Sequence, residues 1–482
     1  MLLNSYLSFW KRHPALLYGL ILFLGSLFAF QTPLALIPFA LLLHKNHLLG
    51  GVLLFLLPCA FGYQFYSFPP NQAEVEGIYH IQCVRTNNRF GRGWSYQGIL
   101  KTEKGCIRCR LFAKEYMPAH TIYKLKGKVR ASPGKWYVLK GKGPWEKWGS
   151  RLTLIDLRYR AQESVKSYIA QHIPQSRAAL FLSGMVTGQL EDKVMQKEFN
   201  QLGLSHLMAI SGLHFSLIAL AFHALLRHLL PPKVESLTLM ILLTLYFLFV
   251  GNTPSIARAW TMAMVFLMGL ILERRSSALN SLGVALCLSL LWDPFSALTL
   301  SFQLSFLATA GILFFYAPCE LLLQNWLPKR RLNDVVGRHF AIQYTYFGYS
   351  LLRESLALST AVHITLLPLL LSVFHSFPFS SLLYNLFFPF LASLSLLFFL
   401  ASVALGPWLS PWAHLINGYY CDWILRITES PPIQLKTLYV ASMPSWLLAA
   451  LLTFVLALAI GVKLKKNPDP LLFEKDRSGS FF

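Results

Sequence analysis

Residues 388–405 read FPFLASLSLLFFLASVAL, an uncharged run long enough to cross the ~30 Å hydrocarbon core of a bilayer as a helix. Two further runs behave alike, LLYGLILFLGSLFAF at 16–30 and LTLMILLTLYFLFV at 237–250. In hydrocarbon every backbone amide needs an internal partner, so only helices and closed barrels span. Barrel strands would alternate polar and apolar positions, and these runs do not. The whole chain follows the same trend, with 482 residues, 55% hydrophobic, 13% charged and a mean hydropathy of +0.49. That composition excludes an ordinary soluble globular protein.

Apolar stretches near 15–30, 33–43 and 48–66, then 206–226, 237–250, 255–272, 279–292, 298–317, 355–374, 379–404, 409–427 and 438–462, predict a polytopic protein of about twelve transmembrane helices. The first is read as a retained span, because Lys11 and Arg12 precede it and no small-residue cleavage pattern follows. The second, with Pro33 and Pro38, is short enough to be tilted, broken or re-entrant. Alternating crossings place Lys11, Arg12 and Lys45 in the cytoplasm. They put RHLLPPK (227–233), ERR (273–275), PKRR (328–331) and KLKK (463–466) on that same side, as the positive-inside bias expects. Both termini are then inside and the segment after Phe68 outside. The expected units are N-terminal helices (1–66), an outside domain (67–150), interfacial amphipathic helices (151–204), a main membrane domain (205–462) and a cytoplasmic tail (463–482).

The net charge is +22, and its placement is uneven: residues 67–175 hold 20 Lys and Arg against seven Asp and Glu. Within that segment GIYHIQCVRTNN, WSYQGILKTE, CIRCRLFAK, YKLKGKVRAS and KWYVLKGKG alternate β-branched or aromatic residues with polar ones, separated by turn-like RFGRG, EKG and SPG. About five short strands predict a small OB-like barrel, and a sandwich fragment would read similarly. Cationic residues interleaved with rings suit single-stranded nucleic acid, which needs phosphate partners and stacking platforms. The candidates are Arg89, Arg92, Trp94, Arg108, Arg110, Lys126, Lys128, Arg130 and Trp136; the alternative is a solvated basic surface over an aromatic core. Cys83, Cys106 and Cys109 also fall here, and an oxidising compartment would allow one pair to bridge, with the pairing open.

HLMAISGLHFS (206–216) sits where a hydrophobic stretch begins, yet carries polar groups that an anchor has no use for. On a helix Ser211 and His214 share a face with His206 at its shoulder, while Ser216, His223 and Arg227 line a second face. Ionisable groups at membrane depth face a bundle interior or a cavity, although Ser211 and Gly212 also suit close helix packing and Arg227 suits snorkelling. Ser211 beside His214 suggests an intramembrane hydrolase when viewed alone, but no oxyanion site or third orienting residue accompanies the pair.

GLSHLMAISGLHFSLIAL (203–220) resembles the signature of the ComEC competence family, bacterial inner-membrane proteins that bring DNA into the cytoplasm. PSIARAWTMA (254–263), DPFSALTLSFQLSFLATAGIL (293–313) and LLPLLLSVFHSFPFSSLLYNLFFPF (366–390) follow in the family's order. The resemblance implies a multi-pass helical channel or translocase for single-stranded DNA in the inner membrane, with an outside OB-like domain near its mouth. Carried over by position, its DNA-pathway residues are His206, Ser211, Gly212, His214, Arg258, Ser301, Gln303, Ser305 and Asn385. The implied partners are single-stranded DNA, membrane lipid, a periplasmic DNA-binding receptor, a cytoplasmic ATP-driven motor or single-strand-binding proteins, a separate nuclease, and a second copy in a homo-oligomer. Many members continue into a metallo-β-lactamase-like domain with a His-x-His-x-Asp-His motif. That motif is absent here, and HKNH (44–47) lacks acidic ligands, so a short form without enzyme activity, metal or cofactor is expected. A GxxxxGK[ST] phosphate loop is also absent, so ATP-driven motion would need a partner. A transporter of another anionic polymer, glycan or lipid is the competing reading.

Overall fold

The computed structural model describes residues 2–466 except 31–32, 43–47, 87–92, 133–135, 142–144, 152, 191, 208–211, 275, 329–339 and 407. Arg89, Arg92, Ser211 and the HKNH tetrapeptide therefore lie outside the described residues.

Four helices open the chain: α1 (Leu2–Arg12), α2 (Pro14–Phe30), α3 (Leu36–Leu42) and α4 (Leu48–Phe65). Pro14 cannot continue the ladder of α1, and the chain turns by 96° between the two helices. The stretch predicted near 33–43 is a 3-10 turn, Pro33–Ala35, followed by the short α3.

Six strands follow, β1 (Glu74–Thr86), β2 (Trp94–Thr102), β3 (Gly105–Ala113), β4 (Thr121–Ser132), β5 (Trp136–Gly141) and β6 (Glu146–Ser150). The first five correspond to the alternating runs; β6, exposed throughout, is an addition. β1, β2 and β3 form an antiparallel meander, β3 pairs β5 in parallel, β5 pairs β4, and β4 returns to β1. The sheet thus closes on itself, and β6 adds to β4 outside the ring. The period of two decides which side each residue takes: on β4 Tyr123, Leu125 and Val129 are buried, and Lys126, Lys128 and Arg130 face out. Tyr79, Tyr96, Leu100, Ile107 and Leu139 complete the interior.

Three helices come next, α5 (Leu154–His172), α6 (Ser176–Thr187) and α7 (Lys193–Gln201), then a 3-10 turn, Ser205–Leu207. Among the described residues the remaining helices are α8 (Gly212–Leu226), α9 (Pro232–Val250), α10 (Pro254–Ile271), α11 (Ala278–Trp292), α12 (Leu300–Leu323), α13 (Phe340–Phe374), α14 (Ser380–Ala404), α15 (Ser410–Glu429) and α16 (Ser445–Lys466). Short strands β7 (Ser376–Pro378) and β8 (Thr437–Tyr439) pair antiparallel.

Among the described residues, six helices are long and apolar enough to cross a membrane: α9, α10, α12, α13 from Gln343, α14 and α16 to Lys463; the bent α1–α2 pair, taken as one span, makes a seventh. Of the dozen spans expected, those near 48–66, 206–226 and 279–292 are shorter apolar helices, and those near 33–43 and 409–427 do not qualify by length or composition. Leucine- and phenylalanine-rich faces of α2, α11 and α12 form one core, and α6, α7, α14 and α15 form another.

α5 joins the sheet to the helices. Its Asp156 carboxylate accepts from the Ala119 and His120 backbone N–H groups at 2.7 and 2.8 Å and from Tyr116 Oη at 2.8 Å, and His120 Nδ1 lies 2.7 Å away. Burial raises the Asp156 pKa, but the combined hydrogen bonds outweigh it and hold the carboxyl below its usual 3.8. Trp94 Nε1 donates to Tyr159 Oη at 2.9 Å. From the same helix Arg158 Nε and Gln162 Nε2 donate to the Leu248 and Phe249 carbonyls, at 2.7 and 2.9 Å, at the end of α9. Those carbonyls belong to the last turn of a helix and have no partner along it, so α5 both caps α9 and braces the sheet.

Candidate nucleic-acid interface

Two regions bring predicted site residues together. The first lies where α8, α10 and α12 meet. Arg258, on α10, is 8% exposed, and its Nη1 donates to the Ser305 carbonyl on α12. Gly212 opens α8 directly against this guanidinium, and a Cβ there would collide with it. His214, two residues further on the same helix and so on a different face from Gly212, is fully buried and lies within electrostatic range of His206. His206 in turn lies within range of His363 on α13, whose Nδ1 donates to the Ser359 carbonyl at 2.7 Å. Among the described residues, Arg258 Nε and Ser305 Oγ are buried without hydrogen-bond partners. A buried guanidinium with donors to spare is a costly arrangement that an anion would relieve.

Gln303 and Ser301 are not part of this meeting. Gln303 Nε2 donates to the Ala297 carbonyl at 2.8 Å and so closes the turn before α12, while Ser301 is exposed. Asn385 is half-buried on α14, a helix that packs against α8, and its Oδ1 has no partner among the described residues.

The second region is the outer face of the sheet. Lys126, Lys128 and Arg130 project from β4, with Lys140 opposite Lys128 on β5; Glu76 on β1 pairs with Lys124 and Lys126 at 3.0 and 3.4 Å. β3 contributes Arg108 and Arg110, whose guanidinium carbons lie 4.4 and 6.0 Å from the Trp136 ring centroid. Arg108 is deeply placed, bonded through Nη2 to Asp293 Oδ2 at 3.0 Å and 5.0 Å from the Phe295 ring, so it ties the sheet to the turn Pro294–Leu298. Trp94 is likewise engaged with α5 rather than presented freely. The three sheet cysteines are free thiols. Cys106 and Cys109 differ by an odd number of positions on one strand and so point to opposite faces, and Cys109 faces the core while Cys83 is half-buried; the bridge that the sequence allowed is not made. Burial pushes the Cys109 thiol up to about 12. Among the described residues no group of three or more His, Cys, Asp or Glu could hold a metal ion.

Asp293, Asp156 and His363 were not singled out from the sequence. Asp293 carried a signal, an Asp directly before Pro at the first position of a helical turn, where it accepts from the Phe295 N–H at 3.1 Å. The roles of Asp156 and His363 depend on contacts distant in sequence.

Comparison with known proteins places these features in a lineage. ComE operon protein 3 of Bacillus subtilis (strain 168) is 30% identical over 125 residues, which are 26% of this chain and 16% of that protein. A protein of Aquifex aeolicus (strain VF5), described only as uncharacterised, is 28% identical over 207 residues, 42% of this chain and 48% of its own length. The chain thus aligns with under half of either relative. No solved structure matches. The family model described as "Competence protein" matches residues 186–465, more than half of the sequence and the stretch that contains α8 to α16. The chain belongs to the competence protein family.

Proposed function

We propose that this membrane protein conducts single-stranded DNA across the bacterial inner membrane during DNA uptake, with no chemical step of its own. The observation that carries the reading is competence-family membership over the segment that holds the buried Arg258 site. A strand bears a charge at every phosphate, so its route through hydrocarbon needs cations and donors at depth, and Arg258 with Gly212 and Ser305 offers both. The closed sheet, with strand order β1-β2-β3-β5-β4 and a lysine- and arginine-rich outer face, fits an OB-like barrel that receives the strand outside. The shorter apolar helices supply further crossings. Energy, delivery and degradation of the second strand are left to partners: a motor, a periplasmic receptor and a nuclease.

Deleting the encoding gene is expected to abolish entry of labelled DNA into the cytoplasm while DNA still binds the cell surface. Unchanged internal label would sink the proposal. Preferential transport of another anionic polymer would move it to the competing class.

A further inference from the structure

Arg108 and Asp293 join two parts of the molecule, and their surroundings are unequal. The Arg108 side chain is 10% exposed and that of Asp293 29%. Arg108 uses Nη2 on Asp293, while its Nη1 is buried with no partner among the described residues, as is Nε of neighbouring Arg110. Arg85 on β1 adds a third like charge within range of Arg110. One carboxylate, paired with the Arg108 guanidinium alone, thus stands beside two guanidiniums that share the Trp136 ring. A guanidinium fork accepts a phosphodiester by the same geometry as a carboxylate.

The two partners differ in what they lose on separation. Asp293 keeps the Phe295 N–H and the Ser296 hydroxyl, both at 3.1 Å, and has water at hand. Arg108 is buried, and without an anion it would be an uncompensated charge. Exchange of one anion for another satisfies both residues; simple opening does not.

We propose that Arg108 and Arg110, seated on Trp136, form a phosphodiester-binding site whose resting occupant is the Asp293 carboxylate, so that a bound strand displaces Asp293 and releases the turn Pro294–Leu298 from the sheet. This rests on the single-stranded DNA reading above. The released turn leads into α12, held by Gln303 on the Ala297 carbonyl, and α12 carries the Ser305 carbonyl that Arg258 grips. Occupancy of the outer site thereby reaches the buried one through a single short segment.

The test uses the full chain in lipid nanodiscs and the anisotropy of fluorescein-labelled oligothymidylate, with linear inorganic polyphosphate as a second probe. Asp293→Asn removes the resident competitor and is expected to tighten oligothymidylate binding about tenfold, while lowering the thermal midpoint because the domain contact is weakened. Arg108→Gln is expected to weaken binding and to flatten the salt dependence by about 0.7 in log–log slope, one phosphate contact on a single strand. In an Arg108→Gln background the Asp293→Asn gain should vanish. Arg108→Lys, which keeps the charge, serves as the folding control. A merely structural pair predicts a lower midpoint with unchanged or weaker binding, or the same change in both backgrounds, and either result overturns the exchange site while leaving the DNA reading intact. Polyphosphate binding that follows the expected pattern, with no oligothymidylate binding, supports the site and overturns the DNA reading.

Discussion

Arg258 illustrates how one residue gains its meaning from neighbours that are remote in sequence. Its guanidinium has the Ser305 carbonyl and the bare backbone of Gly212 for surroundings. A Cβ at 212 would meet Arg258 Nη2, so the guanidinium must shift to admit one. Gly212→Ala is therefore expected to displace Arg258 and to cost about 1–3 kcal/mol as an overpacked site, read as a lower thermal midpoint. Arg258→Gln removes a charged donor whose hydrogen bonds are worth about 1.5–3 kcal/mol each, so DNA entry is expected to fall about tenfold or more in protein shown to insert normally. Retained entry would assign Arg258 to the scaffold. The family resemblance marked Arg258, Gly212 and Ser305 as site residues, but the use of Ser305 through its carbonyl, which every residue has, carries no side-chain signal.

At the scale of elements, α5 is the member whose role was least legible. Its mixed polar pattern read as an interfacial helix, whereas its two ends meet different partners: Asp156 and Tyr159 the sheet, Arg158 and Gln162 the last turn of α9. Asp156 has a folded pKa below 3.8, so its contribution is fully present above the unfolded value and is lost as pH falls through the folded one. The joint is thus expected to hold from neutral pH down to about 4 and to weaken only in stronger acid. Asp156→Asn should cost about 1–3 kcal/mol near neutrality and remove that acid limb, as measured by thermal midpoints across pH. The strands were legible in detail, because a period of two is local. β6 was not, since all of its residues are exposed and it lacks alternation.

At the scale of the molecule, six helices suited to a bilayer among the described residues and a basic sheet domain make a membrane protein with a large polar excursion. An outside location for the sheet predicts that a membrane-impermeant maleimide applied to intact cells modifies Cys83 and Cys106, as mapped by peptide mass spectrometry. Cys109 should remain unmodified, because burial keeps its thiol protonated. Labelling of Cys83 and Cys106 only after the cells are permeabilised would place the sheet on the cytoplasmic side. Composition, hydropathy and charge placement by themselves determined the helical membrane class, the strand-rich segment between the helices and its excess of cations, because each depends on residues near in sequence. Tertiary structure alone decided that β4 returns to β1, that Arg108 meets Asp293, and that Arg258 shares a site with Gly212 and Ser305. Those outcomes depend on which surfaces meet after burial, and for buried charges the nearest partner across the fold governs the energy.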